Sequence, residues 1–220
     1  MQIKRIIDNV KIINEIINVT VNEYPIFVTY YTVDNGYKQF FDKLHESLKK
    51  FSLNYHVFEI LRENNEWETI CQKKPNFLLE VMNNYPTRNI VWIDSDAIIE
   101  KSPDLFLKIN KDLGFFYLGP ELCSGTLFFK NSKLSKKILN EWIEQTTVIN
   151  KLYIKNKFNR HNLYDQVILQ KLITNKGYKK HVFNIGVEYV AIFDHNSITN
   201  KHPVISHWQA SRKLKYKNSI

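Results

Sequence analysis

The stretch Ile90-Val91-Trp92-Ile93-Asp94-Ser95-Asp96 decides how this chain is read. Four consecutive apolar residues with no polar interruption fit a strand buried on both faces, the pattern of a parallel sheet interior. Two carboxylates follow at once. Unpaired charge is costly to bury, so the pair must leave the core at the C-terminal end of the strand, where open α/β sheets bind ligands. In extended backbone, residues two apart project the same way, about 6.6 Å apart at Cα. Asp94 and Asp96 are then placed to share one hard cation, and oxygen ligands select Mg²⁺ or Mn²⁺. The competing reading is a loop whose carboxylates cap the helix near Ser102 or pair with Lys101. The triplet is weak by itself, since nine Asp in 220 residues give about 0.36 chance occurrences of Asp-x-Asp.

The segments upstream supply the context. Pro25 to Tyr31 is β-branched and aromatic, Asp34-Asn35-Gly36 reads as a loop, and Tyr37 to Phe51 is amphipathic with helical spacing. Tyr55 to Leu61 is a second apolar run, and Glu66 to Asn84 a helical stretch broken or kinked at Pro75. The order β-α-β-α-β into Ile90 predicts an α/β fold with a mostly parallel, mixed central sheet flanked by helices. Downstream, Ser102-Pro103-Asp104 reads as a turn. Gly114 to Leu118 and Thr126 to Lys130 read as strands around Gly119-Pro120, and Ser132 to Thr146 and Tyr164 to Thr174 as helices. Lys151 to Asn162 reads as a basic, polar connection, and Val182 to Phe193 and Val204 to Trp208 as extended segments. One domain over residues 1–220 is expected. Residues 1–24 read as an amphipathic helical extension carrying Ile3, Ile6, Ile7, Val10, Ile13, Ile16 and Ile17, and residues 213–220 as a basic tail.

Composition limits the function classes. Hydrophobic content of 44% with six Gly and six Pro excludes a disordered or linker-rich chain. Cys71 and Cys123 lack metal or redox spacing and read as reduced, buried thiols. No stretch has the length of a membrane span or a signal segment, so a soluble cytoplasmic protein is expected, with peripheral membrane contact left open. The net charge of +9 attracts polyanions. The lysines form no single block or recognition helix, so no nucleic-acid partner is expected, and a diphosphate-bearing substrate fits the same sign.

Val91 to Ala97 (Val-Trp-Ile-Asp-Ser-Asp-Ala), followed by Ser102-Pro103-Asp104-Leu105-Phe106, resembles the metal-binding segment of glycosyltransferases with the A-type nucleotide-diphosphosugar fold, a Rossmann-like single domain (GT-A). Three further segments fit in order. Leu122-Cys123-Ser124-Gly125-Thr126-Leu127-Phe128-Phe129 is similar to the turn and strand that line the sugar site. Tyr164-Asp165-Gln166-Val167-Ile168-Leu169 is similar to the Asp-Gln helix start of retaining, family-8-like members. Ile205-Ser206-His207-Trp208 resembles the late strand whose His ligates the metal. Family-8 enzymes often follow that His with Gly and Lys-Pro-Trp, whereas this chain reads His207-Trp208-Gln209-Ala210-Ser211-Arg212.

The resemblance implies transfer of a sugar from a nucleotide-diphosphate donor, a UDP-sugar first, to a glycan or other hydroxyl acceptor, with retention and with Mn²⁺ or Mg²⁺. It implies metal ligands Asp94, Asp96 and His207 and catalytic roles for Asp165 and Gln166. Donor contacts are implied for Thr29, Tyr30, Tyr31, Lys73, Lys74, Ser95, Ser124, Gly125 and Arg212. Each has a plainer reading. The tyrosines suit strand packing, the lysines a solvated helix face, Ser124 and Gly125 a simple turn, and Asp165 a helix N-cap. His195 and His202 rival His207. An inverting enzyme would need a base such as Glu188 or Asp194. A metal-dependent nucleotidyltransferase would need a Gly- and Lys/Arg-rich loop after the first strand, which Val33 to Tyr37 lacks. A basic nucleic-acid-binding protein gives no reason for the acidic pair.

Overall fold

Among the described residues, eleven strands and five α-helices run in the order β1 (Arg5–Ile7), β2 (Val10–Asn18), β3 (Ile26–Thr32), α1 (Lys38–Lys50), β4 (Asn54–Ile60), α2 (Trp67–Cys71), α3 (Lys74–Asn84), β5 (Ile90–Ile93) and β6 (Ala97–Ile99). They continue with β7 (Leu113–Leu118), β8 (Glu121–Phe129), α4 (Lys133–Ile154), α5 (Asp165–Asn175), β9 (Val182–Asn184), β10 (Ala191–Ile192) and β11 (Ile205–His207). The computed structural model describes residues 2–63, 65–154, 163–192 and 202–210.

Eight strands form one sheet in the order β1-β2-β4-β3-β5-β8-β7-β9, and β10-β11-β6 form a second. The sheet is mixed. Its centre, β4-β3-β5, is parallel, as the βαβαβ reading requires, and β7 pairs parallel with β9. Antiparallel pairing joins β2 to β4, β5 to β8 and β7 to β8, so the parallel character is concentrated at the middle.

Alternation along β3 divides the core. Ile26, Val28 and Tyr30 join the cluster that contains Phe77, Leu78 and Met82 of α3, Trp142 of α4 and Leu169 of α5. Phe27 and Tyr31 join Phe41, Leu44 and Leu48 of α1, with Ala97, Ile99 and Ile205 of the small sheet. Helices therefore cover one face, and α1 with the small sheet covers the other, as period-2 strands buried on both sides demand.

The N-terminal helix is not found. Residues 5–18 form a hairpin, β1 against β2, turning at Asp8 (φ 44°) and Asn9 (φ 66°). Asp and Asn tolerate this left-handed backbone better than other non-glycine residues, and consecutive positive φ values are the two-residue hairpin signature. A register shift between Ile12 and Asn14 buries both Ile12 and Ile13, which breaks strict alternation and imitates a helical period. β-branched Ile and Val also favour strands.

Two other boundaries moved. α4 runs through the first residues of the expected polar connection to Ile154, and residues 155–162 lie outside the described chain. Its start is where the sequence places it, because the Ser132 hydroxyl accepts the Ser135 amide at 3.1 Å as an N-cap. Pro75 lies in the first turn of α3, where a missing amide costs nothing, and separates α3 from α2. Among the described residues no helix is long and apolar enough to cross a membrane.

Candidate active site

The acidic pair stands where the two sheets meet. β5 ends at Ile93, and residues 94–96 form a tight turn, closed by the Ala97 amide donating to Asp94 O at 3.0 Å, before β6 begins. The extended geometry expected from spacing is therefore replaced by a turn. Each carboxylate is held separately. The Trp92 indole donates to Asp94 Oδ1 at 2.7 Å, and the Asp94 amide donates to Gly125 O at 2.9 Å. The Ala210 amide donates to Asp96 Oδ2 at 2.7 Å, and the Trp208 amide to Asp96 O at 3.1 Å.

His207 arrives from far along the chain because β11 pairs antiparallel with β6, with His207 opposite Ala97. Ligand atoms of Asp94, Asp96 and His207 lie within 4.8 Å of one another. The Thr126 hydroxyl is 3.0 Å from His207 Nε2; with Nε2–H donating to it, Nδ1 keeps its lone pair for a cation. Burial pushes the His207 pKa down against the opposing pull of Asp96 and Asp94, so the imidazole is neutral at pH 7. Burial, then the Asp94 charge, pushes the Asp96 carboxyl up, although His207 and the Ala210 amide oppose it. Two carboxylates and one neutral imidazole form a donor set that suits Mn²⁺ or Mg²⁺. Gly125 leaves room for it: a Cβ there would stand 2.9 Å from His207 Cε1 and 3.3 Å from Asp94 Oδ2.

Lys74 and Asp165 stand beside the triad. Lys74 Nζ lies 2.7 Å from Asp165 Oδ2 and 3.4 Å from Asp94 Oδ1, donates to Ser124 O at 3.0 Å, and sits 5.0 Å from the Trp92 ring centroid. Burial alone would lower its pKa, but Asp165 and Asp94 outweigh burial and raise it, so the ammonium stays charged. Asp165 opens α5 without capping it, since the N-cap is Tyr164 and no side-chain cap bond forms there. Gln166 Oε1 accepts the Ser124 amide at 3.4 Å.

These groups line a cleft of about 540 Å³, within the range of small-molecule sites. Tyr30, Tyr31, Lys74, Asp94, Ser95, Asp96, Ser124, Gly125, Asp165, Gln166 and His207 all border it. The tyrosines do so with their hydroxyls turned into the protein, Tyr30 donating to Ile70 O at 2.6 Å and Tyr31 to Glu59. Tyr31 also stacks on Phe41, and Tyr30 packs against Phe77 and Trp92.

Thr29 and Lys73 are not among the residues that line the cleft. Thr29 is fully buried in mid-strand, three residues short of the end of β3. Lys73 pairs with Asp8 of the hairpin turn at 2.8 Å, because adjacent residues at a helix start point about 100° apart. Arg212, His195 and Asp194 lie outside the described residues. His202 is exposed and its carbonyl accepts from Lys101. The Glu188 carboxylate folds over Gly186, within 2.2 Å of where a Cβ would stand, and is absent from the cleft lining.

Asn35, Tyr37, Arg62, Trp67, Tyr164 and Gln209 border the cleft without having been singled out from sequence. Tyr37 and Arg62 follow the C-terminal ends of the parallel strands β3 and β4, the edge where such sheets bind ligands, and that rule applied to each strand would have flagged both. Trp67 donates to the Tyr37 hydroxyl at 3.3 Å, and burial first pushes the Tyr37 pKa up to about 12. Gln209 holds a left-handed backbone (φ 49°), which sequence alone does not announce.

No protein-family model and no curated protein matches the chain. Solved structures do. A glycosyltransferase involved in glycosylation of the major capsid of PBCV-1 aligns over 89% of this chain and 100% of its own, with TM-score 0.60 and 12% identity. Mouse xyloside xylosyltransferase 1, in its apo form, aligns over 86% and 98%, with TM-score 0.51 and 11% identity. The glycosyltransferase GlyE of Streptococcus pneumoniae TIGR4 aligns over 84% of this chain and 55% of its own, with TM-score 0.51 and 16% identity. The chain shares the GT-A-like fold of these glycosyltransferases.

Proposed function

We propose that the cleft transfers a glycosyl group from a nucleotide-diphosphate sugar, a UDP-sugar first, to a hydroxyl acceptor with Mn²⁺ or Mg²⁺ and with retention of configuration. The observation that carries the reading is the convergence of Asp94, Asp96 and His207 on a cleft that Asp165 and Gln166 also line. The shared glycosyltransferase fold supports it.

Asp94, Asp96 and His207 would hold the cation, which supplies Lewis-acid neutralisation of charge on the departing diphosphate. Gly125 and Ser124, beside the triad, leave space for the donor sugar against β8. Asp165, fixed by Lys74, and Gln166 face the same space from α5 and are placed to bind sugar hydroxyls and stabilise positive charge at the anomeric carbon. Retention is read from Asp165 and Gln166 at the start of α5, which border the same cleft as the proposed cation site.

An NMR-followed panel of nucleotide sugars with Mn²⁺ tests the reading. Turnover or slow donor hydrolysis is expected for one donor, lost in Asp94→Ala and Asp96→Ala. Undiminished turnover in both variants removes the metal from the reading, and release of the inverted anomer removes retention.

A further inference from the structure

Lys74 is a charged group where charge is hardest to keep. Its side chain is 5% exposed, yet it stays protonated because Asp165 Oδ2 stands 2.7 Å away and Asp94 Oδ1 3.4 Å away. The two contacts are unequal, and the further one falls on a member of the triad. Asp94 Oδ1 is thus turned toward the Trp92 indole and the Lys74 ammonium, while Oδ2 faces the Gly125 and His207 wall. A buried ammonium that leans on a metal-binding carboxylate draws on the same charge that a cation needs.

Charge balance gives this a consequence. At their ordinary charges, the three carboxylates Asp94, Asp96 and Asp165 stand against the single ammonium of Lys74. Two negative charges remain, which one divalent cation neutralises. Without Lys74 the excess would be three, and without Asp165 it would be one, with Lys74 left to Asp94 alone.

Resting on the proposed reading of the cleft, we propose that Lys74 is an internal counter-ion that weakens binding of the bare divalent cation at Asp94 and Asp96, with Asp165 setting how much of Lys74 is available to do so. The cation alone is then held loosely. A nucleoside diphosphate, which brings negative charge of its own, offsets Lys74 and lets cation and nucleotide settle together. Lys74 acts through Asp94 and is a positioning residue.

Mn²⁺ binding followed by electron paramagnetic resonance, without donor or turnover, tests this. Lys74→Met is expected to bind Mn²⁺ about tenfold more tightly than wild type, and Asp165→Asn about tenfold more weakly. The opposite signs separate the counter-ion role from general damage, which weakens both. Lys74→Met/Asp165→Asn, which keeps the net charge of the cluster, is expected to bind more tightly than Asp165→Asn alone. UDP is expected to raise Mn²⁺ affinity more in wild type than in Lys74→Met. Equal or weaker binding by Lys74→Met overturns the proposal. Should that variant fail to fold, equal or tighter binding by Asp165→Asn overturns it instead. Mn²⁺ that ignores wild type even with UDP present, or binds Asp94→Asn equally well, removes the metal site itself and the reading of the cleft with it.

Discussion

Gly125 shows how little space the triad has. A single methyl at this position would lie 2.9 Å from His207 Cε1 and 3.1 Å from Nδ1, closer than ordinary contacts allow. Overpacking of this kind costs about 1–3 kcal/mol, and here the neighbours that must yield are the proposed metal ligands. Gly125→Ala is therefore expected to lower Mn²⁺ affinity at least about tenfold while the fold persists; calorimetric titration together with a thermal melt checks this. The His207 imidazole carries a pH signature. Burial holds its pKa below the ordinary value of about 6.5, so at pH 6.5 it is still mostly unprotonated and able to ligate. Mn²⁺ affinity should persist to lower pH than an unburied imidazole ligand would allow, falling as protons take the imidazole and then the carboxylates. A Mn²⁺ titration series across pH reads this directly, and a decline centred above pH 7 would contradict it.

At the scale of elements, the N-terminal hairpin is fastened by a polar cluster. Arg5 of β1 clasps Glu15 of β2 with two bonds of 2.7 Å and also pairs with Glu80 of α3, and His56 of β4 donates from Nε2 to Glu15 at 2.7 Å. Burial would raise the Glu15 carboxyl, but the bonds from Arg5 and His56 outweigh it and hold the pKa below the ordinary value. Glu15→Gln is expected to lower stability by about 1–2 kcal/mol in urea unfolding, since hydrogen bonds to a charged group are weakened and Arg5 is partly solvated. Burial is the main influence on His56 and pushes its pKa down, despite Glu15. The folded state then binds fewer protons than the unfolded chain, so this contribution is intact above the unfolded value of about 6.5 and diminishes as pH falls below it. The loss of stability between pH 7.5 and 5.5 should shrink in His56→Gln, as urea unfolding at both pH values would show.

For the whole molecule, the decisive measurement is stabilisation by ligand. A ligand that binds only the folded chain at 100 times its Kd adds about 2.7 kcal/mol, and for a domain of this size each kcal/mol moves Tm by about 2–4 °C. UDP with Mn²⁺ is expected to raise Tm by about 5–10 °C in a thermal-shift assay and to leave Asp94→Ala and Asp96→Ala unmoved. The charge of +9 should give only weak binding to random-sequence oligonucleotides, lost as NaCl rises toward 0.2 M; salt-resistant anisotropy would revive a nucleic-acid role.

Local pattern determined much of this protein. The apolar run Ile90–Ile93 became a central strand, and the βαβαβ order gave the parallel centre, because strand burial and crossover rules act over a few residues at a time. The identities of Asp94, Asp96, Asp165, Gln166 and His207 were legible through four ordered segments. Their meeting was not. It required the antiparallel return of β8 beside β5 and of β11 beside β6, pairings between residues 33 and 110 apart in sequence. The same holds for Lys74, which the sequence offers as a donor contact or a solvated helix charge and which is buried against a carboxylate only by the approach of α5. The hairpin of residues 5–18 was misread because a β-bulge at Ile12 and Ile13 gives apolar residues a helical spacing, and only pairing with β4 decides which period prevails. Sequence fixes which side chains are available and the local backbone each prefers; long-range strand pairing decides which of them share one site, since that contact energy depends on neighbours the local chain does not contain.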